Sequence, residues 1–132
     1  MKQERHEEIL KEVLDEIETA LKDARGLLSH QRRLAFSLSL GAVNLLELYF
    51  HKQGVIKEGS KINYTWFKKG KQNVLELLQK QITSPVTSLP DIEHVVELII
   101  QIEEKRDDLA YGAPGTEEIV QEKINLFFEL KK

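Results

Sequence analysis

The segment Glu103-Glu104-Lys105-Arg106-Asp107-Asp108-Leu109-Ala110-Tyr111-Gly112 carries the most informative chemistry in this chain. At about 100° per residue along a helix, Arg106 falls between Ile102 and Leu109 on an apolar face, where an unpaired guanidinium is costly. Two readings are open: a salt bridge to Glu47, Glu103 or another acid at a helix end, or an anion-binding arginine at an interface or cleft. A second group is a stripe. His30, Arg33, Ser37, Asn44, Glu47 and His51 fall within about 100° of one another on a helix, which makes them either a solvent edge or one wall of a ligand groove. Third, Tyr64, Trp66 and Phe67 stand among Lys61, Lys68, Lys69, Lys71 and Lys80. Aromatics among lysines can stack on unpaired bases, although Trp66 and Phe67 also suit the role of core anchors.

Other chemistries find little support. Asp91 and His94 at i and i+3, and Glu47 and His51 at i and i+4, are pairs that a single ion could bridge, but the chain has no Glu-x-x-His pair of the di-iron kind. His6-Glu7 lacks the second histidine of a zinc-protease helix. With 0 cysteines there is no thiolate ligand, disulfide or thiol nucleophile. No Gly-x-Ser-x-Gly elbow and no glycine-rich phosphate loop occurs. We therefore expect no metal and no cofactor.

The elements that must position these residues are helical. Only 7 glycines and 3 prolines punctuate 132 residues, while Leu, Glu, Lys, Ile and Gln abound. From Gln3 to Ala24, apolar residues recur at helical spacing from Ile9 to Leu21, with Gly26 closing the helix and Ser29 placed to cap the next. His30 to Gln53 is apolar over most of its circumference and reads as the central helix of a bundle. Ser37, Ser39, Asn44 and Glu47 interrupt it too often for a membrane span. After a loop at 54–60, a helix carries Trp66 and Phe67 and continues to about Ile82, with Gly70 bending it. Asp91 to Ala110 reads as one helix, ended by Gly112, Pro114 and Gly115, and Thr116 caps the last. The expected fold is all-α: one domain, 1–132, forming an antiparallel bundle of four long helices with room for a short fifth. The charged start, Met1 to Glu8, lacks a signal peptide's apolar region, which points to a cytoplasmic address.

The net charge of −3 hides an asymmetry. Residues 1–24 hold 4 basic and 8 acidic groups, residues 25–80 hold 10 and 3, and residues 81–132 hold 5 and 11. The basic middle either pairs with the acidic flanks or attracts phosphate backbones, and in the second case binding weakens steeply with salt.

With these residues in view, the chain resembles the HEPN superfamily, compact helical bundles that include many metal-independent ribonucleases of toxin-antitoxin and defence systems. That family's hallmark is an Arg followed by Asn, Asp or His and, after a spacer, a His. Arg106-Asp107 matches the first two positions; after four residues stands Tyr111 in place of His, and no histidine follows. The order of elements is also similar: a long acidic first helix, a central helix reading Ala35-Phe36-Ser37-Leu38-Ser39-Leu40-Gly41-Ala42, a glycine-containing loop and a shorter helix. Family members dimerise so that two motifs meet in a composite site. The resemblance implies a homodimer in which Arg106 holds phosphate charge and Asp107 orients it. Tyrosine, with an ordinary pKa near about 10, is a poor general base in place of histidine but still donates a hydrogen bond. The implied function is binding of RNA or a nucleotide phosphate with cleavage weakened or lost, in a toxin-antitoxin or nucleotidyltransferase-associated system. A structural or adaptor bundle and an active ribonuclease are the alternatives.

Overall fold

Helical periodicity is realised along most of the chain. The structure, a computed structural model, describes residues 3–57, 60–104, 106–111 and 116–131. Within them α1 spans Gln3–Lys22, α2 Gln31–Gln53, α3 Lys71–Gln79, α4 Ile92–Glu103, α5 Arg106–Tyr111 and α6 Glu117–Lys131. Short 3-10 turns occupy Leu27–His30, Tyr64–Lys68 and Val86–Ser88. The expected all-α class is the class observed, and no strand occurs among the described residues. An isolated antiparallel bridge joins Ile56 to Ile82.

α2 is the centre, packing on α1, α4, α5 and α6. Its residues Leu34, Leu38, Ala42, Leu46 and Phe50 recur every four positions and are at most 3% exposed, a continuous ridge pressed into the core. Together with the preceding turn, this helix is long and apolar enough by length and composition to cross a membrane, yet most of it is buried inside the bundle. A bundle's core helix has that composition for the same reason a membrane span does: little of its circumference meets water. α1 lays Leu10, Val13, Ile17 and Ala20 against it. Gly41 permits the tightest approach. A Cβ there would stand 2.6 Å from Phe127 Cε1 of α6 and 3.0 Å from Val13 Cγ1 of α1.

Four local expectations are revised or refined. The single helix over 91–110 is two, because Glu104 adopts φ −59 and ψ 126, an extended conformation that stops α4 and lets α5 start afresh at Arg106. Gly70, at φ 88, separates the Tyr64–Lys68 turn from α3 rather than bending one helix, since that backbone region favours glycine. The Ser29 hydroxyl donates to the Gly26 carbonyl at 2.8 Å and does not cap α2. Thr116 does cap α6, its Oγ1 accepting the Ile119 N–H at 3.2 Å. Gly112, Pro114 and Gly115 lie outside the described residues.

Trp66 and Phe67 serve the core. Phe67 is 2% exposed, and Trp66 packs against the same cluster. Lys123 of α6 is buried and donates to the Gln101 carbonyl in the last turn of α4, where a cation also meets the negative end of the helix dipole.

Candidate functional site

The break at Glu104 decides where Arg106 goes. α5 is fastened to α2 by the Gln31 side-chain amide, which donates to the Leu109 carbonyl at 3.0 Å, and by a small buried cluster of Ala35, Leu109 and Ala110. Arg106, first in α5, is therefore carried inward and is only 7% exposed. Its guanidinium carbon lies over two rings, 4.3 Å from the Tyr64 centroid and 4.9 Å from that of Phe36. Cation–π attraction strengthens as water is excluded, so the rings offset part of the desolvation cost.

Acids supply the rest. Arg106 Nη1 donates to Asp107 Oδ1 at 3.1 Å, and Nε lies 3.9 Å from Glu103 Oε2. That second separation is an ion pair without a hydrogen bond, and both atoms are buried and unpartnered by hydrogen bonds. The other Glu103 oxygen accepts the Ser39 hydroxyl at 2.5 Å. Burial pushes the Glu103 carboxyl above its usual range, outweighing the Ser39 hydrogen bond and the Arg106 charge that pull it down. Asp107 is open to solvent. A 2.5 Å hydrogen bond from Lys68 Nζ holds its carboxyl below the usual range, and the same bond raises Lys68. Of the two acids named as Arg106 partners, Glu103 is present, joined by Asp107 at the start of α5, whereas Glu47 lies in a different network.

A cleft of 460 Å³ opens beside this group, bounded by Phe67, Lys68, Glu103, Glu104, Arg106, Asp107 and Asp108. Two cations there face four carboxyl groups. The arrangement can hold a planar or hydrogen-bonding ligand against Arg106, but it is no strongly positive anion trap. Among the described residues no set of three or more His, Asp or Glu side chains is placed to hold a metal ion.

The stripe on α2 divides in two. Arg33 is exposed and Ser37 half-buried, the latter next in the chain to Phe36. Asn44 and Glu47 are buried, and an α1 histidine that the spacing did not single out takes up their polar atoms. His6, 0% exposed, lies with Nδ1 2.8 Å from Asn44 Oδ1 and Nε2 3.4 Å from Glu47 Oε2. Asn44 Nδ2 donates to the Leu40 carbonyl at 2.8 Å, and Glu47 Oε1 accepts the Ile62 N–H at 2.8 Å. The His51 ring lies 5.2 Å from that of His6. His30, at the top of the stripe, sits between Asp23 Oδ2 at 2.7 Å and Glu16 Oε1 at 3.6 Å, fixing the corner between α1 and α2. Arg25 is the main reason that the Asp23 carboxyl lies far below its usual range.

The structure thus brings Arg106, Asp107 and Lys68 together, leaves Lys69 exposed on the neighbouring turn, and commits Asn44 and Glu47 to holding α1 on α2. Tyr111 ends α5, but its side chain lies outside the described residues. Glu103 joins the site as the salt-bridge partner that the sequence offered, whereas Phe36 and Ser39 join it although sequence spacing gave them no role, and Tyr64 meets Arg106 rather than a lysine. The one signal was Arg106 itself, since a guanidinium on an apolar face requires such neighbours. Part of the basic middle pairs with the acidic final third: Lys71 reaches Glu97 at 3.0 Å and Lys68 reaches Asp107. Comparison of the chain with protein-family models, curated proteins and solved structures finds no match.

Proposed function

We propose that this chain is a HEPN-like bundle, its longer helices antiparallel, that acts as a homodimer and binds RNA or a nucleotide phosphate through Arg106 and Lys68. The observation that supports the reading is the placement of Arg106: buried, over two aromatic rings, and at the wall of a cleft. A guanidinium held in this way loses little freedom when it engages a phosphate or a base edge. Phe36 and Leu40, 39% and 47% exposed and one turn apart on α2, are apolar surface for a second copy to cover. Asp107 orients Arg106. Cleavage is not part of the proposal, because the motif histidine is replaced by Tyr111. The toxin-antitoxin or nucleotidyltransferase setting follows from the resemblance.

One observation favours a second reading, an adaptor bundle in which Arg106 is structural: its cation already faces Asp107 and Glu103. Incubation of the protein with labelled single-stranded RNA in EDTA separates the readings, with Arg106→Ala as control. We expect binding without cleavage, a dimeric mass by light scattering, and an affinity loss of about tenfold or more in the variant, the scale of one charge-assisted contact. Cleavage by the wild type alone would establish the ribonuclease reading instead. A monomer that binds nothing would leave the adaptor.

A further inference from the structure

We infer that an RNA ligand is held at this face by an unpaired base stacked on Tyr64, with its phosphates secondary. The inference rests on the RNA-binding reading above and names what that site recognises. Charge alone cannot hold a strand here. The cleft beside Arg106 sets Lys68 and Arg106 against Glu103, Glu104, Asp107 and Asp108. Both cations already face carboxylates, at 2.5 Å for Lys68 and 3.1 Å for Arg106 on the two oxygens of Asp107. A phosphate arriving at either cation exchanges one anion for another while meeting the remaining acids, so the release of counterions that drives most RNA binding is small.

Stacking escapes that balance, because every base presents a π face whatever the local charge. Tyr64 is 36% exposed, and its ring already carries the Arg106 guanidinium, 4.3 Å from the centroid. A base laid on the open part of the ring extends a stack that the protein has begun. The platform is rigid. Tyr64 opens the 3-10 turn Tyr64–Lys68, and Asn63 fixes the start of that turn by accepting the Thr65 N–H at 3.0 Å and the Thr65 hydroxyl at 2.8 Å. Phe67, 2% exposed, anchors the same turn in the core. Lys68 stands at its other end, so one short element carries both the surface for a base and a cation for its flanking phosphate. Unpaired bases are what such a surface admits, since a duplex keeps its π faces stacked on one another.

The test is titration of a short single-stranded RNA carrying 2-aminopurine, beside an abasic strand of equal length, against the wild-type protein, Tyr64→Leu, Tyr64→Phe and Arg106→Ala. The base-bearing strand should bind with quenched fluorescence, and the abasic strand about tenfold or more weaker, the scale of one lost base–aromatic stack. Tyr64→Leu should lose a similar factor while remaining folded, with a somewhat lower thermal midpoint because the ring also covers Arg106, and Tyr64→Phe, which keeps that cover, should restore both binding and midpoint. The dependence on salt should be shallow, near one released ion. Equal affinity for the two strands overturns the inference even if Tyr64→Leu fails to fold. Loss of both strands in Arg106→Ala, with Tyr64→Leu unaffected, overturns it while leaving the phosphate-binding reading in place. Failure of the wild type to bind either strand removes both.

Discussion

Deleting the His6 ring should cost about 3 kcal/mol, because Asn44 Oδ1 and Glu47 Oε2 are then left buried without the polar ring that faces them. The His6 and Glu47 side chains are 0% and 9% exposed, so water does little to screen them. Leaving a buried acceptor without its partner costs about 1–3 kcal/mol, and the Glu47 carboxyl falls at the upper end of that range. The orphaned Asn44 Oδ1, whose amide nitrogen stays bound to the Leu40 carbonyl, adds about 1 kcal/mol at the lower end of the desolvation range. Relaxation of the first turns of α1 gives part of this back, so the net is set at about 3 kcal/mol. A domain with a total stability of about 5–15 kcal/mol loses a large share. Glu47→Gln is the contrasting change. Its carbonyl can keep the Ile62 N–H at 2.8 Å, and its amide can donate to His6 Nε2, so it should cost about 1 kcal/mol or less. Urea unfolding of the wild type, His6→Ala and Glu47→Gln measures both numbers. A His6→Ala loss below about 1 kcal/mol would refute the claim that this network holds α1 in place.

Two further predictions concern α2 and the acid beneath Arg106. Gly41→Ala sets a helix-propensity gain of about 1 kcal/mol against overpacking of about 1–3 kcal/mol on Phe127 and Val13, which are 0% and 2% exposed. The net should be destabilising, Gly41→Ala with Phe127→Leu should recover most of the loss, and a rise in thermal midpoint for Gly41→Ala alone would contradict the packing. Glu103 has its folded-state pKa raised above the usual glutamate value of 4.5, chiefly by burial. The folded protein therefore binds that proton more tightly than the unfolded chain does, and stability falls as pH rises from the unfolded to the folded value. Relative to Glu103→Gln, the wild type should lose stability across this window and run parallel above it. An opposite slope in paired denaturation curves would show that Arg106 and Ser39, not burial, dominate the site.

What could be read from the sequence were the regularities that repeat within one helix. The i, i+3, i+4 spacing of α1, the dense apolar coverage of α2 and the Thr116 cap all depend on neighbours a turn apart, and all are found. Glu104 shows the limit. No proline or glycine marks the point where α4 stops, and Ile102 and Leu109 continue the apolar period across the break, so only tertiary packing separates the two helices. The His6 network was hidden for a related reason. Gln3-Glu4-Arg5-His6-Glu7-Glu8 reads as a solvated first turn, and the partners that bury His6 lie 38 and 41 positions away on α2.

The same logic explains why the stripe on α2 resists a single reading. Its members share one side of a helix, but a 23-residue helix meets different neighbours along its length. Near the start, Arg33 stays in water because none of the described elements covers it; near the end, Asn44 and Glu47 lie beneath α1 and the segment entering at Ile62. Polarity on a buried helix face is tolerated only where each atom finds a partner, so the lower half of the stripe was already evidence for an unseen polar group on another element. Arg106 poses the same question from α5, and there too a polar atom goes unmet: Nε and Glu103 Oε2 remain 3.9 Å apart without a hydrogen bond. His6 gathers its partners into a structural joint. His6 Nε2 likewise lacks a hydrogen bond, but it is sealed inside the bundle, whereas Arg106 stands at the wall of a cleft, and that access makes it, rather than the histidine network, the place to look for a ligand.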